Sequence, residues 1–224
     1  MINNFFPSNR DIQKLFPFIV IKNHINGSGV SSESEIHESV IIGKNVSIGK
    51  NTIIMPYVVI EDDVIIGNEC IIRSGALIRS TTFIGNQVVI GHATEMKHAY
   101  LDNEVKVGSH CFVGNSLLGK GARIGSGTIT GNRRFDQKEI HWNGPNGKVE
   151  TKLDKLGLVL GEYARLGANC TTNPGTMSGA NTWVSGGQIV SGFIDANKFI
   201  KQSGEVVENA HKQELSIKDN SGVV

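Results

Sequence analysis

From Ile36 to Met96 every sixth position is a large aliphatic: Ile36, Ile42, Ile48, Ile54, Ile60, Ile66, Ile72, Ile78, Ile84, Ile90 and Met96. A period of six fits neither the 3.6 residues of an α-helical turn nor the alternation of an ordinary strand, so it predicts a chain wound in short equal segments. Each hexad becomes one flat side of a triangular prism, and three hexads make a coil of 18 residues. Successive coils then stack at the strand spacing of about 4.8 Å. The expected fold is all-β, a left-handed parallel β-helix in which residues one coil apart lie above one another.

The position four after each aliphatic is also expected to face inward, in a space small enough to favour Val40, Val46, Thr52, Val58, Val64, Cys70, Ala76, Thr82 and Val88. Glycine often follows the aliphatic directly (Gly43, Gly49, Gly67, Gly85, Gly91) and is expected to turn the corner. The frame continues, after two one-residue deletions, at Leu101, Val107, Val113, Leu118 and Ile124. It vanishes between Asn132 and Gly157, a polar stretch with a turn-forming Asn143-Gly144-Pro145-Asn146-Gly147, and resumes from Leu160 to Val190. Long excursions from compact domains are more often functional than incidental. The reading divides the chain into an N-terminal cap segment (1–35), a β-helix (36–197) with the loop excursion 132–157, and a polar C-terminal tail (198–224). The cap is assigned to the apolar cluster Phe5, Phe6, Leu15, Phe16, Phe18, Ile19 and Ile21, with a short helix around Asn9 to Leu15, because a parallel stack must cover its open edges.

A formal charge of +1 over 224 residues gives no global attraction to nucleic acid or to a membrane surface. No basic segment precedes an uninterrupted apolar run, and no stretch has the length of a membrane span, so a cytoplasmic protein is expected. Cys70, Cys111 and Cys170 all occupy the cramped inward position of their hexads, which favours core packing over disulfide or metal chemistry.

Stacking also indicates which outward side chains are neighbours. Arg79 and Lys97 are 18 residues apart and both follow an inward aliphatic, so two cations lie about one strand spacing from each other. Like charges that close repel unless an anion lies between them or carboxylates such as Glu61 and Glu95 pair with them. Both arrangements are open: a bound phosphate or an ion-pair ladder. A second column brings together His92, Ser109 and Ser126, with His110 beside Ser109. An imidazole next to a hydroxyl is suited to general-base work, although a histidine on a solvated turn is also a common turn residue. The loop carries Arg133, Arg134, Lys138, Lys148, Lys152 and Lys155 among four acidic residues. It reads either as a solvated mixed-charge loop or as a flap that adds Asn132, Arg133 or Lys138 to the Arg79–Lys97 corner. Trp142 is positioned to cover apolar surface on the prism or on a neighbouring subunit.

The segments Thr94-Glu95-Met96-Lys97, Lys106-Val107-Gly108, Ile124-Gly125-Ser126-Gly127-Thr128-Ile129-Thr130 and Asn132-Arg133-Arg134-Phe135-Asp136 with Lys138 resemble the acetyltransferase domain of bifunctional glucosamine-1-phosphate acetyltransferase/uridylyltransferases, archaeal-type relatives above all. The likeness runs from about Ile72 to Asn197. It implies a homotrimer with active sites between subunits, acetyl-CoA as the acyl donor, and an amino-sugar phosphate or nucleotide sugar as acceptor. It assigns Arg79 and Lys97 to the sugar phosphate, Asn132 to the substrate or acetyl group, and Lys138 to the substrate. The departures are Ser109 where the family has its catalytic histidine, Phe112 where a tyrosine follows it, and His141 in place of a loop lysine.

Serine is a poor base for an ammonium proton, so the base is expected to have moved, to His92 first and His110 second, with Ser109 hydrogen-bonding the acceptor or its water. The leading expectation is an acyl-CoA-dependent transferase serving cell-envelope glycan synthesis, with no metal and with sugar activation left to a separate nucleotidyltransferase. The alternative is a non-catalytic member that binds a sugar nucleotide or a partner enzyme. A metal-dependent hydrolyase using His92, His98 and His110 across subunits is a third.

Overall fold

The computed structural model describes residues 29–144 and 147–210. The expected N-terminal cap cluster and its short helix lie outside the described residues. Among the described residues the chain is all β, without a helix, and forms a left-handed β-helix of about nine coils. Strands of two or three residues, one per hexad, stack into three parallel sheets that are the sides of the prism. Side one holds nine strands, from Gly29–Val30 to Phe193–Ile194, and side three holds eight, from Ile41–Ile42 to Ile189–Val190. Side two begins at Glu35–Ile36 and ends with Lys198–Ile200, against which Val206–Glu208 runs antiparallel as the tenth strand. The sequence reading stopped the coils at 197; Lys198–Ile200 adds a further parallel strand above Trp183–Val184. The strand that turns back on it covers what would otherwise be an open edge.

The predicted registers are present. Ile54 pairs with Ile72, Ile72 with Ile90, and after the first deletion Ile90 pairs with Val107. The loop is bridged without a slip, since Leu118 pairs with Leu160. From Ile48 to Met96 every hexad aliphatic is buried, whereas Ile36 and Ile42 near the first coil are progressively more open. The second inward column is buried from Val46 to Val88, and its threonines are satisfied by the backbone, as where the Thr52 hydroxyl donates to the Gly67 carbonyl at 2.8 Å. All three cysteines are free and buried in this column.

The corner glycines have a different role from the one their position suggested. The left-handed backbone falls three residues after each aliphatic, at Asn45, Asn51, Tyr57, Asp63 and Glu69, for example, with φ between 53° and 62°. The glycine directly after the aliphatic is required by close approach instead. A Cβ on Gly49 would lie 2.3 Å from Asn68 Oδ1, and one on Gly67 would lie 2.6 Å from Asn86 Oδ1. Those amide oxygens accept from the Lys50 and Asn68 backbone N–H groups of the coil before, each at 2.8 Å. The missing side chain therefore makes room for a polar ladder that ties each corner to the next.

Gly67→Ala is expected to destabilise the protein by about 3 kcal/mol or more, because the new methyl meets backbone that cannot give way. Gly29→Ala, with nothing within 4 Å of its Cβ position, should be nearly neutral. Thermal unfolding of the two variants side by side reads the difference, and equal midpoints would remove close approach as the reason for the glycines.

Candidate functional site

Both deletions fall at one edge of the prism, between sides three and one. Here the left-handed residue comes two positions after the aliphatic rather than three, at His98 (φ 47°) and Asn115 (φ 49°). Arg79 and Lys97 open this corner on successive coils, with the Arg79 N–H donating to the Met96 carbonyl at 2.8 Å. The ion-pair ladder forms around Arg79: its Nε lies 3.5 Å from Glu61 and its Nη1 lies 3.0 Å from Glu95. These groups are all about a third exposed, so each pair contributes at most about 1 kcal/mol. Glu61 also accepts from the Ser80 backbone N–H at 3.0 Å and from its hydroxyl at 3.1 Å, and the backbone bond is the main cause of its lowered pKa. Lys97 has no ion-pair partner among the described residues. His98, half-buried behind it, has its pKa lowered by burial first and then by Lys97, Arg79 and Lys155, with Glu61 opposing.

The loop springs from this same corner. The Asn132 amide donates to Asn115 Oδ1 at 2.7 Å, and the returning strand is tied down where Leu156 N–H donates to Asn132 O and Gly157 N–H to Asn115 O, both at 2.9 Å. Lys155, bridged to Arg133, thereby reaches the His98 environment. Arg133 and Lys138 remain exposed: Arg133 donates to Gln137 at 2.9 Å, while the Lys138 backbone N–H donates to Asp136 at 3.2 Å. The body of the loop turns away from the corner. Its hairpin, His141–Gly144 against Gly147–Glu150, lies on the outer face of side one. There Trp142 is buried with Ile140, Leu156 and Met177 and packs against Phe193 at 6.4 Å. Trp142 thus covers the prism of its own chain. The Phe135 side chain is fully exposed.

The second candidate set occupies the opposite edge of side three, between sides two and three. His92 lies in the turn that precedes the side-three strand Glu95–Lys97, with Ala93 beside it in the left-handed region at φ 52°, so His92 and Lys97 stand at opposite ends of that side. His92 Nδ1 lies 2.6 Å from the Ser74 carbonyl oxygen, which can only accept. Nδ1 therefore carries the proton, and in the neutral ring Nε2 is left as the acceptor. His110 sits one coil on, its ring edge-on to His92 at 5.2 Å between centroids. The stacking of Ser109 on Ser126 is direct, since the Ser109 backbone N–H donates to the Ser126 hydroxyl at 3.1 Å. Among the described residues no three His, Cys, Asp or Glu side chains converge as metal ligands.

One feature escaped the sequence reading. On side two, Lys106, Arg123, Arg165, Trp183 and Phe199 pair in unbroken register and line a groove of about 510 Å³. The Arg165 guanidinium lies 4.9 Å from the Trp183 ring centre. The groove floor includes Gly108, Gly125 and Gly167, so it opens directly onto the Ser109–Ser126 edge. Each of the five lining side chains immediately precedes an inward aliphatic. That signal becomes visible only once the deletion and the loop are subtracted from the spacing.

Residues 45–80 match the family described as bacterial transferase hexapeptide (six repeats). The chain is 29% identical over 115 residues to the bifunctional protein GlmU of Methanocaldococcus jannaschii, covering 51% of this chain and 28% of that protein. It is 35% identical over 90 residues to the uncharacterized acetyltransferase YaiX of Escherichia coli, covering 40% of this chain and 39% of that one. A bifunctional sugar-1-phosphate nucleotidylyltransferase/acetyltransferase of Sulfurisphaera tokodaii matches at 29% over 109 residues, 49% of this chain and 27% of that one. In each case the match spans well under half of the relative's length. Among solved structures, the UDP-N-acetylglucosamine acyltransferase of Francisella novicida aligns with 83% of this chain and 71% of its own, at 17% identity and a TM-score of 0.44.

Trp142→Ala should cost the loop its anchor, about 3 kcal/mol of local packing. Hydrogen exchange at the hairpin amides is expected to accelerate while the coils stay protected; unchanged hairpin protection would mean that something other than Trp142 holds the loop down.

Proposed function

We propose that the protein is an acyl-CoA-dependent acyltransferase that acylates the amine of an amino-sugar phosphate or nucleotide-linked amino sugar. The observation that carries this reading is the convergence of two surfaces on one edge. Side three offers cations at one end and the His92 imidazole at the other, and the side-two groove opens at the same edge. A sugar lying across side three, over Glu95 and Phe112, would hold its phosphate at Arg79 and Lys97 and present its amine to His92.

The groove fits the acyl donor. Three cations one strand spacing apart suit the phosphates of a coenzyme A, and Trp183 and Phe199 suit its adenine. The thioester, when bound, supplies the electrophilic carbonyl. His92 Nε2 takes the proton that the attacking amine must lose, the Ser74 carbonyl steadies the imidazolium through Nδ1, and the proton then passes to the departing thiolate. The Ser109 hydroxyl, two residues before the buried Cys111, is placed to hydrogen-bond the acceptor or a water beside it. This relocates the base by one coil from the position at which the resembling family keeps its histidine.

The wider setting follows from the donor. Acyl-CoA is a cytoplasmic metabolite, and amino-sugar acylation serves cell-envelope glycan synthesis; a separate nucleotidyltransferase would activate the sugar. Assembly as a homotrimer would bring exposed side-three residues such as Ile41, Ile129 and Ile189 against neighbouring subunits. A second, non-catalytic reading is favoured by Ser109 and Phe112, and it predicts sugar-nucleotide binding through Arg79 and Lys97 without thiol release.

Thiol release from acetyl-CoA, measured across amino-sugar 1-phosphates and UDP-amino sugars, tests the two readings. Acceptor-dependent release that is lost in an Arg79→Ala/Lys97→Ala variant is expected. Binding without release would move the non-catalytic reading to first place. His92→Ala should lower kcat by about 100-fold or more with KM little changed, and His110→Ala should have a much smaller effect. If neither substitution slows turnover, the base lies elsewhere. Trp183→Ala together with Arg123→Ala should raise KM for acetyl-CoA about tenfold and leave the acceptor KM alone.

A further inference from the structure

His92 and His110 form a pair whose chemistry goes beyond that of a single base. We propose that the two imidazoles chelate one divalent transition-metal ion, of the zinc and copper class rather than the magnesium and calcium class, and that the ion blocks His92. Binding of the ion stands on the geometry of the pair. Its inhibitory effect rests on the reading of His92 as the proton acceptor made above.

The two rings belong to neighbouring columns of one edge. The His110 backbone N–H donates to the His92 carbonyl at 2.8 Å, just as the Ala93 N–H donates to the Ser74 carbonyl at 3.1 Å one coil below. His110 thus stands above Ala93 and diagonally above His92, in the left-handed region at φ 57°. The ring centres are 5.2 Å apart and the ring planes cross at 88°. With metal–nitrogen bonds of about 2.0–2.1 Å, two imidazoles bound to one ion at a tetrahedral angle have their centres roughly 5 Å apart. The pair already has that spacing, so closing on an ion asks for ring rotation and for no movement of the backbone.

His92 also has the support that a metal-ligating imidazole needs. Its Nδ1–H donates to the Ser74 carbonyl at 2.6 Å, which fixes the tautomer and leaves Nε2 to coordinate. The ring lies over Gly75, where a Cβ would come within 3.7 Å of its Cε1. Neither nitrogen of the His110 ring is hydrogen-bonded among the described residues. Around the pair the two columns hold Ser74, Gly75, Ala93, Ser109, Ser126 and Gly127, so no lysine or arginine of these columns stands next to it to repel a cation. Water fills the positions that the protein leaves open.

Two imidazole nitrogens and no carboxylate set the class of ion. Such a pair favours copper, then nickel and zinc, over magnesium and calcium, which want oxygen. Two protein ligands make a reversible site, unlike the closed four-ligand sites of structural zinc. The ion takes the Nε2 lone pair of His92, the same pair that receives the amine proton in the proposed transfer.

The test uses the full untagged chain with copper(II) or zinc chloride alone, binding being followed by calorimetry and the copper by its nitrogen hyperfine structure. One tight ion per chain is expected, with two imidazole nitrogens in the spectrum and no response to magnesium. Both histidines are exposed, so their replacement leaves the core intact. His92→Ala, and His110→Asn, which suits the left-handed backbone, should each weaken binding about tenfold or more, and the double variant little further, because chelation is lost with the first histidine. Saturating zinc should stop formation of acylated acceptor, counted by mass spectrometry, and a chelator should restore it. Tight binding that survives either substitution, tight binding that is absent, or turnover unchanged with the pair occupied overturns the inference. Silence in the thiol-release assay while copper is still held by both nitrogens would support the site and sink the transferase reading alone.

Discussion

The structure depends on one distance, the spacing of about 4.8 Å between successive coils that parallel backbone hydrogen bonding imposes. At that separation each side chain has a neighbour directly above and below. Anything that will not stack is excluded from the sides and confined to the edges. The glycines after the aliphatics, the amide ladder of Asn68, Asn86 and Asn103, and the left-handed residues at the turns are all answers to this constraint. A loop of 26 residues can leave the stack only at an edge, and it must return in register, as the pairing of Leu118 with Leu160 shows.

The same spacing makes charges collide unless something intervenes. At the Lys97 corner, carboxylates from neighbouring coils pair with Arg79, while among the described residues neither Lys97 nor Lys155 has an ion-pair partner. On side two, Lys106, Arg123 and Arg165 stack between Val89 and Trp183 with no acidic residue next to them in the column, and the aromatics Trp183 and Phe199 follow. Stacked like charges are costly to keep in the free protein. Both places are therefore electrostatically prepared for anions, one at each end of the path that the proposed transfer would follow.

Much of this was legible in the sequence because the fold translates position into neighbourhood by simple arithmetic. The coils, the inward columns, the buried cysteines, and the adjacency of Arg79 to Lys97 and of Ser109 to Ser126 follow from counting in sixes and eighteens. What counting could not reach lay where the period breaks. His98 entered only as a metal-ligand candidate with His92 and His110, because the deletion before Leu101 shows in the hexad frame but not which residue of the shortened turn takes the left-handed position. The side-two column was hidden by spacings of 17, 42 and 18 residues between Lys106, Arg123, Arg165 and Trp183. The corner glycines were recognised, but as makers of turns, because a one-coil pattern does not reveal what the next coil inserts. Trp142 had two possible seats, and only the packing of Met177 and Phe193 beneath it decides between them.

The stacking rule also explains how an active-site base could move without disturbing the fold. Ser109 and His92 occupy the same column, and a substitution at either is accommodated at the solvent edge with no change to the core. A base displaced by one coil shifts by about 4.8 Å, roughly the reach of an imidazole, and it keeps its orientation relative to the prism axis. The backbone carbonyl below it, Ser74 O for His92, fixes the ring tautomer without needing a carboxylate partner. In a repeat of this kind each coil offers the same mounting point. The chemistry is then set by which coil carries the imidazole and by how far along the edge the two anion-binding ends place their ligands.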